Sequence, residues 1–173
     1  GGSIAVSGKE VRIKHPSDAV KSGIGFVAED RKHEGLVLNM PIYQNMTLAK
    51  LRELFAGRLL NRKTELEYAE KSKTELSIKL SSVADPVETL SGGNQQKVVL
   101  AKWMLDGLKV LILDEPTKGI DIGAKEDVFN AVDSLAEKGI GIIFISSDLD
   151  EVFRVSDKLL IICLLYTSPS PRD

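Results

Sequence analysis

Two short stretches carry residue types that handle phosphate: LSGGNQQKV at Leu90–Val98 and VLILDEPTKGID at Val110–Asp121. Ser91 is a favourable helix N-cap, and Gly92 and Gly93 let the backbone approach a ligand with no Cβ in the way. Apolar residues at Val98, Leu100, Ala101, Trp103 and Met104 recur at helical spacing, so a helix is expected from about Asn94 to Met104. The unpaired N–H groups and positive dipole end of such a helix form a ready anion site. Alone, a Ser-Gly-Gly triplet is more often a plain capped turn. The apolar run Val110–Leu113 reads as a strand of a parallel sheet covered on both faces. Ligands gather at the carboxyl ends of such strands. Asp114 is placed there to hold Mg²⁺ through water, and Glu115 to polarise an attacking water. A bare Asp-Glu pair is more often a solvated turn, but Thr117, Gly119 and Asp121 continue a longer pattern.

That pattern resembles the ATP-binding cassette (ABC) family of transport ATPases. Leu90–Lys97 is similar to the family's signature motif, with Asn94 where Gln is commoner. Val110–Glu115 is similar to its Walker B strand, and Gly119-Ile120-Asp121 to its D-loop. Gly8–Val37 and the NQQK ending resemble the second cassette of the duplicated ATPases that serve bacterial monosaccharide importers of the ribose, xylose or galactose type. The resemblance implies an α/β, P-loop NTPase-like core, incomplete here, over residues 1–162. It also implies an inserted α-helical subdomain at about 40–90.

The same resemblance implies ATP and Mg²⁺ as cofactors and a sandwich of two cassettes, fused or homodimeric. Ser91, Gly92, Gly93 and Asn94 then reach the γ-phosphate of ATP held by the facing cassette. Asp114 is the magnesium ligand and Glu115 the general base of this chain's own site, and Asp121 couples the two sites. Glu29 occupies the Q-loop position, where Gln is usual, and Ser147 the switch position, where most members carry His. A Ser hydroxyl cannot bridge charge as an imidazole does, so slow turnover is expected at this chain's own site. Further implied partners are membrane permease subunits and, indirectly, a periplasmic sugar-binding protein, with the chain at the cytoplasmic face of the inner membrane. A non-transport ABC ATPase and a regulatory nucleotide-binding module are the alternatives.

Composition narrows the classes further. Lysine plus arginine number 23 against 25 acidic residues, a formal charge of −2, which gives no support for a nucleic-acid partner. The basic residues of Arg58–Lys73 alternate with Glu65, Glu67 and Glu70, as on a solvated helical face. No apolar stretch reaches the length of a membrane span. One cysteine, Cys163, excludes an internal disulfide framework and a Cys-rich metal site. His15 and His33 lie in polar contexts and are read as surface residues.

The positioning elements follow from periodicity and punctuation. A hairpin of Ile4–Val6 and Val11–Ile13 is expected around Ser7-Gly8-Lys9. A short helix is expected at Ser17–Ser22, between Pro16 and Gly23. A buried strand is expected at Ile24–Ala28, and helices at Asn45–Phe55 and Lys63–Leu80. After the acidic pair come a helix at Ala124–Glu137, a core strand at Ile140–Ile145 and an apolar strand at Leu159–Ile162. No G-x-x-x-x-G-K-[ST] loop occurs in the chain. Such a loop supplies the amides and lysine that cradle phosphates, so the chain alone is expected not to hydrolyse ATP. The last stretch, CLLYTSPSPRD at Cys163–Asp173, resembles the translation of a transposase adapter used in sequencing libraries. It is read as non-native.

Overall fold

The structure, a computed structural model, describes residues 2–51, 61–104 and 107–162. Cys163–Asp173, and the Arg52–Phe55 part of the helix expected at Asn45–Phe55, lie outside the described residues.

Strands β1 (Ile4–Val6) and β2 (Lys9–Val11) form the expected antiparallel hairpin, but with a tighter turn. Ser7 and Gly8 both take positive φ, 50° and 74°, the two-residue turn whose twist matches the strands. Lys9 therefore sits opposite Val6, and pairing ends at Ile4↔Val11, so the second strand stops two residues short of Ile13. Helix α1 (Pro16–Lys21) follows and ends at Ser22, before Gly23 at φ 80°.

Strands β3 (Ile24–Val27), β4 (Val110–Asp114) and β5 (Gly141–Ile145) form a parallel sheet in that order. The register sets Val27 beside Leu113 and Asp114 beside Ile145. One face of this sheet is sealed: Val27, Leu111 and Leu113 are at most 1% exposed. The other is not, since Phe26, Ile143 and Ile145 are about half exposed at 48, 50 and 45%. The expectation of strands covered on both faces is therefore corrected. The three strands of this sheet alternate with period two between the sealed face and the more exposed one. Asp114 shares the open face, in register with Ile145.

The sealed face meets a single apolar cluster that also runs between the helices. Helices α2 (Ile42–Thr47) and α3 (Arg62–Glu75) contribute Ile42, Met46 and Ala69 to it. Helix α4 (Gly92–Lys102) contributes Val98–Ala101, and α5 (Ile122–Glu137) contributes Val128, Val132 and Leu135. The Tyr68 hydroxyl donates to the Ala101 carbonyl at 2.6 Å, tying α3 to the end of α4.

Helix α3 ends five residues before the expected Leu80, for a local reason. Ser77 takes φ 48°, its N–H bonds to the Thr74 carbonyl, and the Ile78 N–H reaches back to Lys73 at 2.9 Å. This is a Schellman cap with serine in the left-handed position, where glycine is the usual signal. Ser77→Gly is expected to raise stability by roughly 0.5–1 kcal/mol by relieving the left-handed strain of an exposed residue. A rise in the urea midpoint at constant slope checks it.

Helix α5 begins two residues before the expected Ala124, because Asp121 caps it: its Oδ1 accepts from the Ala124 N–H at 2.9 Å. A helix not expected from the sequence, α6 (Leu149–Val155), starts at Asp148, whose carboxylate accepts from the Asp150 N–H. Leu159–Ile162 is not a strand. No described strand pairs with it, and all four residues are exposed, Leu160 and Ile162 at 83%. A short apolar run without a ladder has nothing to hold it extended in a sheet.

Candidate functional site

Parallel register brings the ends of β3, β4 and β5 to one edge of the sheet, and the sequence-predicted residues divide into two groups around it. The first group is Asp114, Glu115 and Ser147. Glu115 departs from the strand at φ 44°, a left-handed conformation that costs a non-glycine residue about 1–2 kcal/mol. Three contacts hold it there. Its N–H donates to the Ile145 carbonyl at 2.9 Å, its Oε1 accepts from the Ser147 N–H at 2.7 Å, and Ser146 Oγ approaches its Oε2 at 3.4 Å. At Ser147, expected at the switch position, the backbone thus touches the acid, while no partner of the hydroxyl occurs among the described residues.

Behind this pair lies a network that the sequence did not reveal. Glu151, 6% exposed on α6, accepts from Thr117 Oγ1 at 2.5 Å, from Lys125 Nζ at 2.6 Å and from Ser146 Oγ at 3.1 Å. Burial raises the Glu151 carboxyl, but the bonds from Lys125, Thr117 and Ser146 outweigh it and leave the pKa lowered. Lys125 is correspondingly raised, chiefly by the bond to Glu151. The only readable signal was Asp148-x-x-Glu151 before an apolar residue, a helix-start pattern that says nothing of the partners.

The second group is Ser91, Gly92, Gly93, Asn94 and Asp121. Ser91 occupies the N-cap of α4, yet its hydroxyl does not cap the helix. It accepts instead from Asn94 Nδ2 at 3.0 Å, while Asn94 Oδ1 accepts from the Lys79 N–H at 2.9 Å. Among the described residues no acceptor engages the N–H groups of Gly92, Gly93 and Asn94. Ser91, Gly93, Asn94 and Asp121 line one hollow of about 280 Å³ with Lys79, Gly123, Ala124 and Asp127. Gly93 has a second reason to be glycine: a Cβ there would stand 2.8 Å from the Ala124 Cβ on α5. Under α4, the buried Lys97 donates from Nζ to the Ser77 carbonyl at 2.6 Å and lies 3.8 Å from Asp127. Desolvation lowers its pKa, against the pull of Asp127.

Glu29 joins neither group directly. It forms an ion pair with Lys118, which raises the lysine's pKa. His33 is exposed beside Asp30, whose carboxyl its hydrogen bond lowers, and it has no place in either group.

No cluster of three or more His, Cys, Asp or Glu side chains able to hold a metal occurs among the described residues. The donors at the sheet edge are carboxylate oxygens on an open face, which suits a cation that takes one or two carboxylates and completes its shell with phosphate oxygens and water. The unengaged amides of α4 likewise suit a phosphate. No helix of the described residues is long and apolar enough to cross a membrane.

Comparison with known proteins bears on the family and the fold. The chain is 45% identical over 161 residues to the xylose import ATP-binding protein XylG of Thermoanaerobacter pseudethanolicus, covering 93% of this chain and 32% of that protein. It is 46% identical over 160 residues to the ribose import ATP-binding protein RbsA of Lactococcus lactis subsp. cremoris, covering 92% and 32%. The chain thus spans about a third of the length of these relatives. A solved dimeric ATP-binding cassette in a post-hydrolysis state, bound to ADP and Pi, superposes with a TM-score of 0.67 at 19% identity, covering 87% of this chain and 64% of that one, and shows the fold. The family model described as "ABC transporter" matches residues 1–118, and the chain therefore belongs to the ABC transporter family of ATP-binding cassettes.

Proposed function

We propose that this chain is the part of a sugar importer's ATPase subunit that presents Ser91–Gly93 to ATP held by a facing cassette. The observation that carries this reading is the start of α4, where three successive N–H groups are without acceptors and the Ser91 hydroxyl is spared from capping. Because Asn94 donates to Ser91 Oγ, the hydroxyl's own proton is free to point outward. Helix dipole, amides and hydroxyl then converge on one anion, and Asp121 holds the neighbouring turn fixed by capping α5.

On this reading Asp114 is an oxygen ligand for Mg²⁺ and Glu115 the base of the chain's own site, with MgATP supplying the phosphoanhydride bond that is hydrolysed. Glu115 has one oxygen occupied by the Ser147 N–H and the other approached only at 3.4 Å, so Oε2 retains capacity to accept a proton from water. Monosaccharides are the transported class, in keeping with the import functions in the relatives' names. Permease subunits and a second cassette are the partners, and the cytoplasmic face of the inner membrane is the place of work.

The test uses the complete subunit assembled with its permease in vesicles. Ser91→Arg fills the space above the free amides and is expected to reduce ATP-driven sugar uptake and hydrolysis roughly tenfold or more, by loss of preorganised donors. Undiminished hydrolysis in a folded variant would refute the assignment of Ser91–Gly93 to the partner's phosphate.

A further inference from the structure

Arg31 is the first residue of a single π-helical turn, Arg31–Gly35, just beyond the end of β3. Asp30 caps this turn, its Oδ1 accepting from the N–H groups of Lys32 and His33 at 3.0 and 3.1 Å. The turn lies against α4 at several points. A Cβ on Gly35 would meet Val99 at 3.2 Å, and Lys102 Nζ donates to the Gly35 carbonyl at 2.6 Å.

The guanidinium reaches a different segment. Nη1 donates to the Lys118 carbonyl at 2.8 Å and Nη2 to the Gly119 carbonyl at 3.2 Å. Gly119 takes φ 67°, so this turn is one that side-chain-bearing residues rarely adopt. The same Nη2 lies 2.9 Å from where a Cβ on Gly92 would stand, so the guanidinium packs directly on the first residue of α4. Its Nε is buried with no partner, and burial lowers its pKa. A cation beside a helix N-terminus is also electrostatically unfavourable. A side chain kept there against desolvation, an unsatisfied Nε and the dipole is held by what its fork gains across the gap.

We infer that Arg31 is a positioning residue that locks the Ser91–Gly93 turn to the Lys118–Asp121 turn, so that both are presented to the facing cassette at one fixed spacing. This rests on the function proposed above, because the spacing matters only if both segments act across an interface. The fork geometry sets the residue type. Two successive carbonyls are met by two nitrogens of one plane, which a lysine ammonium cannot reproduce. The nearby Glu29–Lys118 pair secures the same turn from its exposed side, where ion pairs contribute little.

The test compares Arg31→Met and Arg31→Lys with the unaltered protein by two measurements. Amide hydrogen exchange in the complete subunit is expected to rise about tenfold in 91–95, read at Gln95, whose N–H bonds to the Ser91 carbonyl, and in 117–124, with β4 unchanged, because the opening is local. In the complete subunit, kcat for ATP is expected to fall roughly tenfold with KM within about twofold, and Lys is expected to restore less than half of the loss. Exchange unchanged in both segments, or full rescue by Lys, would overturn the inference. Faster exchange in both segments with kcat unchanged would refute the trans-acting reading on which it rests.

Discussion

Glu151→Leu is expected to destabilise the chain by about 2–4 kcal/mol, since it removes the shared acceptor of a buried charged network. Thr117 Oγ1 and Lys125 Nζ lose their acceptor at once, and Ser146 Oγ keeps only its 3.4 Å approach to Glu115. Lys125 retains some access to solvent, at 28% side-chain exposure, and Asp148 stands 4.0 Å away. These features keep the loss below that of a fully buried pair. The conservative Glu151→Gln should cost less, because an amide oxygen still accepts from one or two of the donors.

The pH dependence separates charge from shape. The Glu151 carboxyl is lowered on folding, so its contribution is fully present above the unfolded value of about 4.3 and is lost as pH falls through the lower folded value. Urea unfolding should therefore show the difference between wild type and Glu151→Gln narrowing as pH falls below about 4. A difference independent of pH would mean that the carboxylate contributes only as a packed shape. Because Ser146 links Glu151 to Glu115, the Leu variant should also loosen the strained Glu115 turn and slow hydrolysis in the complete subunit.

Gly93→Val is the second change expected to have a large effect, about 3 kcal/mol of stability from overpacking. The obstacle is the Ala124 Cβ at 2.8 Å, with the Ala124 carbonyl oxygen 3.5 Å away, so relief requires α4 and α5 to move apart as units. Gly93→Ala shares the contact, and the gain of about 1 kcal/mol in helix propensity only partly offsets it. Ala124→Gly removes the obstructing atom. Combining it with Gly93→Ala should recover most of the loss, giving a coupling well above the 0.3–0.5 kcal/mol of independent sites. Strictly additive unfolding energies in that double-mutant cycle would show that the glycine is required for the phosphate approach alone.

The contrast with Gly92 is instructive. A Cβ at Gly92 meets a guanidinium nitrogen, the far end of a flexible side chain, although Arg31 is held there by two carbonyl bonds. Both glycines of the signature are thus explained twice, by the ligand they are read to admit and by the neighbour they already touch. Pattern reading saw only the first reason, because the neighbours are remote: Arg31 is about sixty residues upstream and Ala124 about thirty downstream.

Local signals determined much of the architecture. The helix after Ser91, the β4 strand ending in Asp114-Glu115 and the α/β alternation follow from periodicity, glycines and motif spacing, which act within a few residues. Where the sequence misled, the deciding force was also local but unusual, as with serine in the left-handed cap at Ser77 or Asp121 serving as an N-cap. Other misreadings came from partners. Leu159–Ile162 has the composition of a strand and no ladder to join, and the sheet has one open face where two covered ones were expected.

By itself the sequence determined the family, the two stretches read as phosphate-handling and the residue types at the ends of β3, β4 and β5. Only the tertiary structure decided which of them meet. It set Glu115 against the backbone rather than the hydroxyl of Ser147, placed buried Glu151 behind it, and laid Arg31 between the signature turn and Gly119. The reason is physical: chemistry is written in residue types and short spacings, whereas a hydrogen bond across more than eighty residues exists only once packing has brought its donor and acceptor together.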